Sequence, residues 1–262
     1  MKNDLIKIQI TALFSLIALF SNIVFSAHWT APTASAQNTP IKFIPPPPPP
    51  DRGAAGTRGG SASRGCSSDQ PLMALVPVYE GTTTQASPIT QVWALTTAEL
   101  PTFWFFVPHE KTSIKTMEFV LKDETNKPSK TIYRSFVTPP QAPGIINIKL
   151  PSNLSALQVG KSYNWFLKLK VDCNSQLPAQ LEYVEGWVQR VKPNSKLVSN
   201  LAGASPQQKV MLYAENSIWH DALTTLAELR LSKPKDAALM ADWNGLLKSV
   251  GLENLANQPL VK

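Results

Sequence analysis

The sequence predicts a mainly β protein, an antiparallel β-sandwich with an α-helical C-terminal tail packed against it. Three observations support this prediction. Residues 162–173 alternate apolar and polar side chains, as a strand with one buried face does. Other short strand-like segments lie on both sides of it, separated by turn residues. Residues 205–250 instead repeat their apolar side chains every three to four positions, which is typical of helices.

The β-region spans residues 71–195. In its clearest strand Tyr163, Trp165 and Leu167 point one way, and the polar residues between them point the other. The other predicted strands are 72–79, 103–107, 117–121, 131–137, 145–150 and 181–191. The polar loop 123–130 joins two of them into a hairpin. Short strands separated by turns favour a sandwich, with a closed barrel as the alternative.

The helical region spans residues 196–262. Ser205 and Gln208 have the spacing of a capping box, and Pro206 stands at the first helical position, where its missing N–H costs nothing. Two further apolar helical faces follow, at residues 218–229 and 239–250. Because such faces are too apolar to remain in water, we expect about three helices that pack on the β-domain.

Residues 1–36 resemble an export signal. Lys2 and Lys7 precede an apolar stretch over residues 8–25, and Ala34-Ser35-Ala36 supplies the small residues that a signal peptidase needs. An uncleaved anchor is the alternative, because 18 residues approach the length of a membrane span. Cleavage would leave no stable membrane span. The signal would direct the chain to the periplasm, the cell envelope or the extracellular space.

Residues 37–70 are rich in proline, glycine and arginine, and we predict a disordered linker there. Six consecutive prolines, 45–50, form a polyproline II segment of roughly 19 Å. Residues 53–65 have too few apolar side chains to fold on their own. The linker is interpreted as a spacer, or alternatively as a ligand for a polyproline-binding groove.

Charge and motifs exclude several functions. The net charge of +7 is spread along the chain without a basic stripe beyond the linker, which argues against nucleic acid as a partner. His109, His220 and the two cysteines do not have zinc-binding spacing. His220 and Asp221 are adjacent on a predicted helix and point about 100° apart, so we expect a surface histidine rather than a catalytic pair. We therefore expect no enzyme, no cofactor and no metal.

The two cysteines, Cys66 and Cys173, suggest a disulfide. Both would lie in an oxidising compartment after export, and the chain has no third cysteine to compete. A bridge between them would close a loop of about 108 residues, which the chain-entropy model values at about 4–5 kcal/mol. Two free thiols are the alternative.

Residues 103–107 form an unusually aromatic strand. Phe103 and Phe105 can point to the core, which leaves Trp104 and Phe106 on the opposite face. Either the tail helices cover this face, or it is an exposed platform for a sugar ring or a partner protein. The candidate binding surface consists of Trp104, Phe106, Trp187 and Trp219. We therefore expect a non-enzymatic envelope module that binds another protein through its helical tail or aromatic face. A carbohydrate-binding module for envelope polysaccharide is the alternative.

Several motifs together resemble a known family. They include residues 56–60, 72–77, 103–108, 186–190 and 218–223. The resemblance is to the exported cyanobacterial family catalogued only as a domain of unknown function (number 928), and it covers roughly Arg52 to Leu252. It implies an envelope location in such a bacterium and no particular activity.

The tail has a second, weaker resemblance. Tyr213, Ala222, Leu226, Leu229 and Pro234 have the spacing of the last five signature positions of a tetratricopeptide repeat. Only one repeat can be traced, whereas about three are needed for an independent array. The resemblance therefore implies a helical hairpin that depends on the β-region for cover.

Overall fold

Two β-sheets and four α-helices make up the part of the chain that the computed structural model describes, residues 40–47, 56–60, 70–82, 88–125, 128–172 and 178–261. The mainly β prediction with a helical tail is confirmed. The barrel alternative is wrong, because the strands form two open sheets. The predicted signal peptide, 1–36, lies outside the described residues.

Nine strands are found in the described residues. In chain order they are β1 (Met73–Ala74), β2 (Val78–Thr82), β3 (Pro88–Thr96), β4 (Thr102–Val107), β5 (Ile114–Asp123), β6 (Lys130–Phe136), β7 (Gly144–Lys149), β8 (Ser162–Val171) and β9 (Gln180–Arg190). The larger sheet has the order β2-β3-β9-β8-β5-β6, and the smaller has the order β1-β4-β7. The predicted hairpin is confirmed as the antiparallel pair β5 and β6.

The larger sheet departs from the prediction in two ways. β3 was not expected, and it pairs with β9 in parallel, with Trp93 beside Trp187. Strand β9 follows β3 by about 90 residues, so no local turn signal could specify this pairing. The predicted strand 72–79 is divided into β1 and β2, which belong to different sheets.

The helices are α1 (Ser195–Ala202), α2 (Pro206–Glu215), α3 (Trp219–Ser232) and α4 (Ala237–Lys248). The predicted capping box of α2 is present: the Gln208 N–H donates to Ser205 Oγ at 3.3 Å, and the Ser205 N–H donates to Gln208 Oε1 at 2.8 Å. Helix α1 was not predicted. Helix α4 begins later than expected, because the Asp236 carboxylate accepts the Ala238 N–H at 2.9 Å and caps the helix there.

Strand β4 lies between the larger sheet and helix α3. The ring of Phe103 is 5.0 Å from that of Phe119 on β5, and the ring of Phe105 is 5.6 Å from that of Trp165 on β8. On the opposite face of β4, Trp104 Nε1 donates to Thr224 Oγ1 of α3 at 3.0 Å. The smaller sheet is therefore buried on both faces, which explains its almost uniformly apolar sequence.

The helical tail is anchored to the β-region by buried polar contacts. Trp219 Nε1 donates to the carbonyl of Leu75 at 2.8 Å. The Asp221 carboxylate accepts Thr96 Oγ1–H at 2.6 Å and the Thr97 N–H at 3.2 Å. The apolar cores of sheets and helices form one continuous cluster.

Two pieces of the predicted disordered linker, 37–70, are packed against the rest of the protein. One is the N-terminal strap, residues 40–47, in which Ile41 and Phe43 are buried. The other, residues 56–60, joins the two sheets: the Thr57 N–H donates to the Glu185 carbonyl, and the Ala74 N–H to the Arg58 carbonyl. The prediction of disorder is wrong for these pieces. Backbone pairing with sheet edges can order a segment that has few apolar side chains.

Candidate functional site

The six-stranded sheet has one face turned to the core and one turned away from it. On β8, Trp165, Leu167 and Leu169 face the core and are fully buried, and the residues that alternate with them point outwards. The pairing of β8 with β5 and β9, and of β5 with β6, extends both faces across four strands. We define the outer face by its side chains Glu118, Val120, Lys122, Arg134, Phe136, Phe166, Lys168, Lys170, Leu181, Tyr183 and Glu185.

Three large apolar side chains on the outer face are exposed to solvent. Phe136 is 71% exposed, Leu181 65% and Tyr183 43%. Among the residues described, the large hydrophobic side chains that are exposed include two aromatic ones, and both of these lie on this face. Leu181 and Tyr183 are neighbours on β9, and adjacent exposed apolar groups commonly mark an interaction site.

The register places the two exposed aromatic residues in one row across the sheet. Tyr183 pairs with Lys168, Lys168 with Glu118, and Glu118 with Phe136. Three strand spacings separate the ends of this row, a distance of about 14 Å. Arg134 lies beside the row and pairs with Glu118, with 3.3 Å between Nε and Oε1. The row thus has an aromatic side chain at each end and two charged side chains between them.

The next row is centred on Phe166. The ammonium groups of Lys122 and Lys168 lie 4.9 and 5.3 Å from the centre of its ring, within cation–π range. Glu185 pairs with Phe166 on the neighbouring strand, and burial raises the pKa of its carboxyl despite a 3.2 Å hydrogen bond from Asn164 Nδ2. The outer face carries four basic and two acidic side chains, so its net charge is positive.

The candidate surface expected from the sequence does not form. Trp104 is 2% exposed, Phe106 3% and Trp219 0%. The reason is that α3 packs on the outer side of β4, as the first of the two interpretations of this strand predicted. Trp187 is half-buried, and it lies on the six-stranded sheet beside Trp93 rather than with the other three residues. Sequence reasoning missed Phe136, Leu181 and Tyr183, although each is an apolar residue at an outward position of its strand.

His220 is not the expected surface histidine. Only 2% of the residue is exposed, and its ring meets the ring of Phe103 edge-on at 5.4 Å. Within the described part of the chain, neither ring nitrogen makes a well-formed hydrogen bond. Burial lowers the pKa of His220 to about 4, and the backbone of Thr102 opposes this shift only in part. The imidazole is therefore neutral at physiological pH.

A small cavity of about 230 Å³ lies between the β3–β4 connection and the start of α3. Its lining includes Thr96, Thr102, His220 and Asp221. The Asp221 carboxylate accepts hydrogen bonds from the Thr96 and Thr97 hydroxyl groups rather than from the imidazole. Burial raises the pKa of this carboxyl, and the hydrogen bonds partly reverse the shift. Asp221 thus holds the β3–β4 connection against α3 and does not orient His220 as a base.

The second histidine, His109, forms a buried pair with Glu182. Its Nε2 lies 2.9 Å from Glu182 Oε2, and the side chains are 6% and 2% exposed. The contact ties the residue after Pro108 to strand β9. No group of three or more His, Cys, Asp or Glu side chains in the described residues could hold a metal ion. Among the described helices, none is long and apolar enough to cross a membrane.

The predicted disulfide cannot be compared with the structure, because Cys66 and Cys173 lie outside the described residues. It stays a prediction. Non-reducing peptide mapping of the exported protein is expected to recover one peptide that links Cys66 to Cys173. Two free, alkylatable thiols would contradict the bridge.

Fold and surface together define the class: a two-sheet β protein with a helical tail and an open, basic, partly aromatic sheet face. Within that class, the family described as Domain of Unknown Function (DUF928) matches residues 53–260, and the chain belongs to this family. The predicted family is thereby confirmed. Its cyanobacterial origin, the export of the chain and the tetratricopeptide-like hairpin stay predictions.

Comparison with other proteins adds little. No curated protein matches the chain. A solved structure with local similarity is the soluble domain of PmoD from Methylocystis sp. ATCC 49242 (Rockwell). It is 8% identical, and the match covers 50% of this chain and 96% of that chain, with a TM-score of 0.25. A TM-score this low carries no argument about function.

Proposed function

We propose that this protein is a non-enzymatic, exported module of the cell envelope that binds another protein through the outer face of its six-stranded sheet. The observation that carries the proposal is the exposure of Phe136, Leu181 and Tyr183 on that one face. Partially exposed aromatic side chains surrounded by charged groups resemble the composition of protein-binding surfaces, in which Tyr and other aromatic residues provide much of the affinity.

The rigidity of the face supports the same function. Its side chains project from strands β9, β8, β5 and β6 of a sheet whose other face is packed against the core, so little order is lost when a partner binds. The environments of two histidines support the non-enzymatic part of the proposal. Among the described residues, no carboxylate orients the enclosed His220, and His109 is held by a buried hydrogen bond to Glu182.

Export is supported by the leader, residues 1–36. We expect mass spectrometry of the exported protein to find Gln37 as its first residue. An intact Met1 terminus would mean that the leader is retained as an anchor, and it would change the location without changing the proposed binding face.

The binding face is tested by crosslinking in cells. A photo-crosslinking residue at position 181 is expected to capture one discrete partner, which the variant Phe136→Ser/Tyr183→Ser no longer captures. Val198→Ser/Met240→Ser is the matched control, because these side chains are 52% and 43% exposed on the tail helices. Both variants should keep the wild-type melting temperature. Equal capture by both variants would show that the outer face is not the docking site.

An acidic polysaccharide is a second candidate ligand, favoured by the two lysines that flank Phe166. Affinity electrophoresis in a gel that contains alginate, a uronic-acid polymer, would test it. Retardation of the wild type that is lost in Lys122→Gln/Lys168→Gln would support polysaccharide binding. Unchanged migration of the wild type would leave the protein partner as the ligand of this face.

A further inference from the structure

The N-terminal strap lies in a groove of the helical tail. Ile41 and Phe43 are 6% and 2% exposed, whereas Lys42 and Ile44 are exposed. The Phe43 ring packs edge-on against Trp219 of α3, with 5.1 Å between ring centres. Alternate burial of this kind is the pattern with which an extended peptide is bound, with pockets for every second side chain.

The groove also binds the backbone of the strap. The Phe43 N–H donates to Ser249 Oγ at 3.1 Å, and the Ile44 N–H donates to the Ala214 carbonyl at 3.1 Å. Ser249 caps the C-terminal end of α4, and Ala214 belongs to the last turn of α2. The end of α2 offers a backbone carbonyl, as helix ends do, and the end of α4 offers the Ser249 hydroxyl oxygen, so both can accept hydrogen bonds from an extended segment in this position.

A glycine in α4 allows the strap to approach closely. At Gly245 a Cβ atom would lie 2.8 Å from Pro40 Cβ and 3.0 Å from the Ile41 carbonyl oxygen. Glycine in the interior of a helix costs about 1 kcal/mol relative to alanine. Its presence at the point of contact shows that the groove is shaped for a peptide backbone.

We propose that this groove is a peptide-binding site, that the strap is its resident ligand, and that it accepts the same segment from a second copy of this chain. Eight residues, 48–55, connect the strap to the packed segment 56–60, and eight extended residues span up to about 26 Å. Exchange of an identical terminal element between two chains is a low-cost route to a dimer. The second copy is the partner because its strap has the sequence that the groove is seen to hold.

Peptide binding is tested with the full mature chain, residues 37–262, and a fluorescent peptide of residues 38–47. The variant Phe43→Ala weakens the resident strap and is expected to bind the peptide at least roughly tenfold more tightly than the wild type does. A peptide with the same Phe43→Ala change should lose roughly tenfold or more in affinity. Ile44→Ala is the matched control, because Ile44 is 50% exposed, and it should behave as the wild type does. Equal binding by all three chains would overturn the proposal.

A second measurement covers the case in which Phe43→Ala does not fold. A protease site inserted between residues 48 and 55 allows the strap to be cut from the folded wild-type chain. The labelled peptide is then expected to replace the cut strap while circular dichroism stays unchanged. Unfolding after the cut, or no exchange, would show that the strap is an integral part of the core.

The role of the second copy is tested by light scattering. Refolding of the uncut chain at increasing concentration should give a growing dimer fraction, which Phe43→Ala reduces. Only monomers at every concentration, together with exchange of the labelled peptide, would confine the strap to its own chain and overturn the exchange between copies.

Discussion

Replacement of His220 by leucine should remove an acid-sensitive part of the folding stability. Burial lowers the pKa of His220 to about 4, whereas an unfolded histidine titrates near 6.5. As the pH falls, the unfolded state therefore binds a proton first, and the free energy of unfolding decreases between pH 6.5 and 4 and levels off below 4. One pKa unit corresponds to about 1.4 kcal/mol, so the wild type should lose about 1.4 kcal/mol by pH 5.5 and about 3 kcal/mol by pH 4.

Urea unfolding at pH 7.5, 6.5, 5.5 and 4.5 measures this effect as the difference between wild type and variant. Titration of the carboxylates affects both proteins alike and largely cancels in the difference. His220→Gln is the matched control, because it keeps a polar side chain of similar size that does not titrate. The free energy of unfolding of both variants, measured relative to that of the wild type, should increase as the pH falls. A difference in stability that stays constant from pH 7.5 to 4.5 would refute the enclosure of a neutral imidazole.

Two further changes test the core. Gly186→Ala should lower the free energy of unfolding by about 2 kcal/mol, because the added Cβ would overlap the Trp165 ring. Gly203→Ala is the control: no atom lies within 4 Å of its added Cβ, so it should have little effect in the same urea titration. His109→Leu should lower the free energy of unfolding by about 1–3 kcal/mol, since it removes one hydrogen-bond partner of the buried Glu182 side chain. The double replacement of His109 and Glu182 by leucine should cost less than the single one, and a strictly additive loss would contradict a direct interaction.

The elements that could be predicted are those whose signal is local. The alternation of Tyr163, Trp165 and Leu167 with polar residues indicates β8 directly, and the spacing of Ser205 and Gln208 indicates the start of α2. Strand β3 was missed although it pairs locally with β2; its parallel pairing with β9, far along the chain, has no local signal. The N-terminal strap was missed for a related reason: its apolar residues are few, and the groove that buries them belongs to the other end of the chain.

The amino-acid sequence by itself determined that this chain has a β-region with a helical tail, that it belongs to its family, and that strand β4 has two apolar faces. Only the tertiary structure decided what covers each face. Alternation along a strand reports which side chains share a face, but burial depends on elements that are distant in sequence. Helix α3 covers Trp104, so the expected surface is closed. Nothing in the described part of the chain covers Phe136 to the same degree, and the open surface lies on the other sheet.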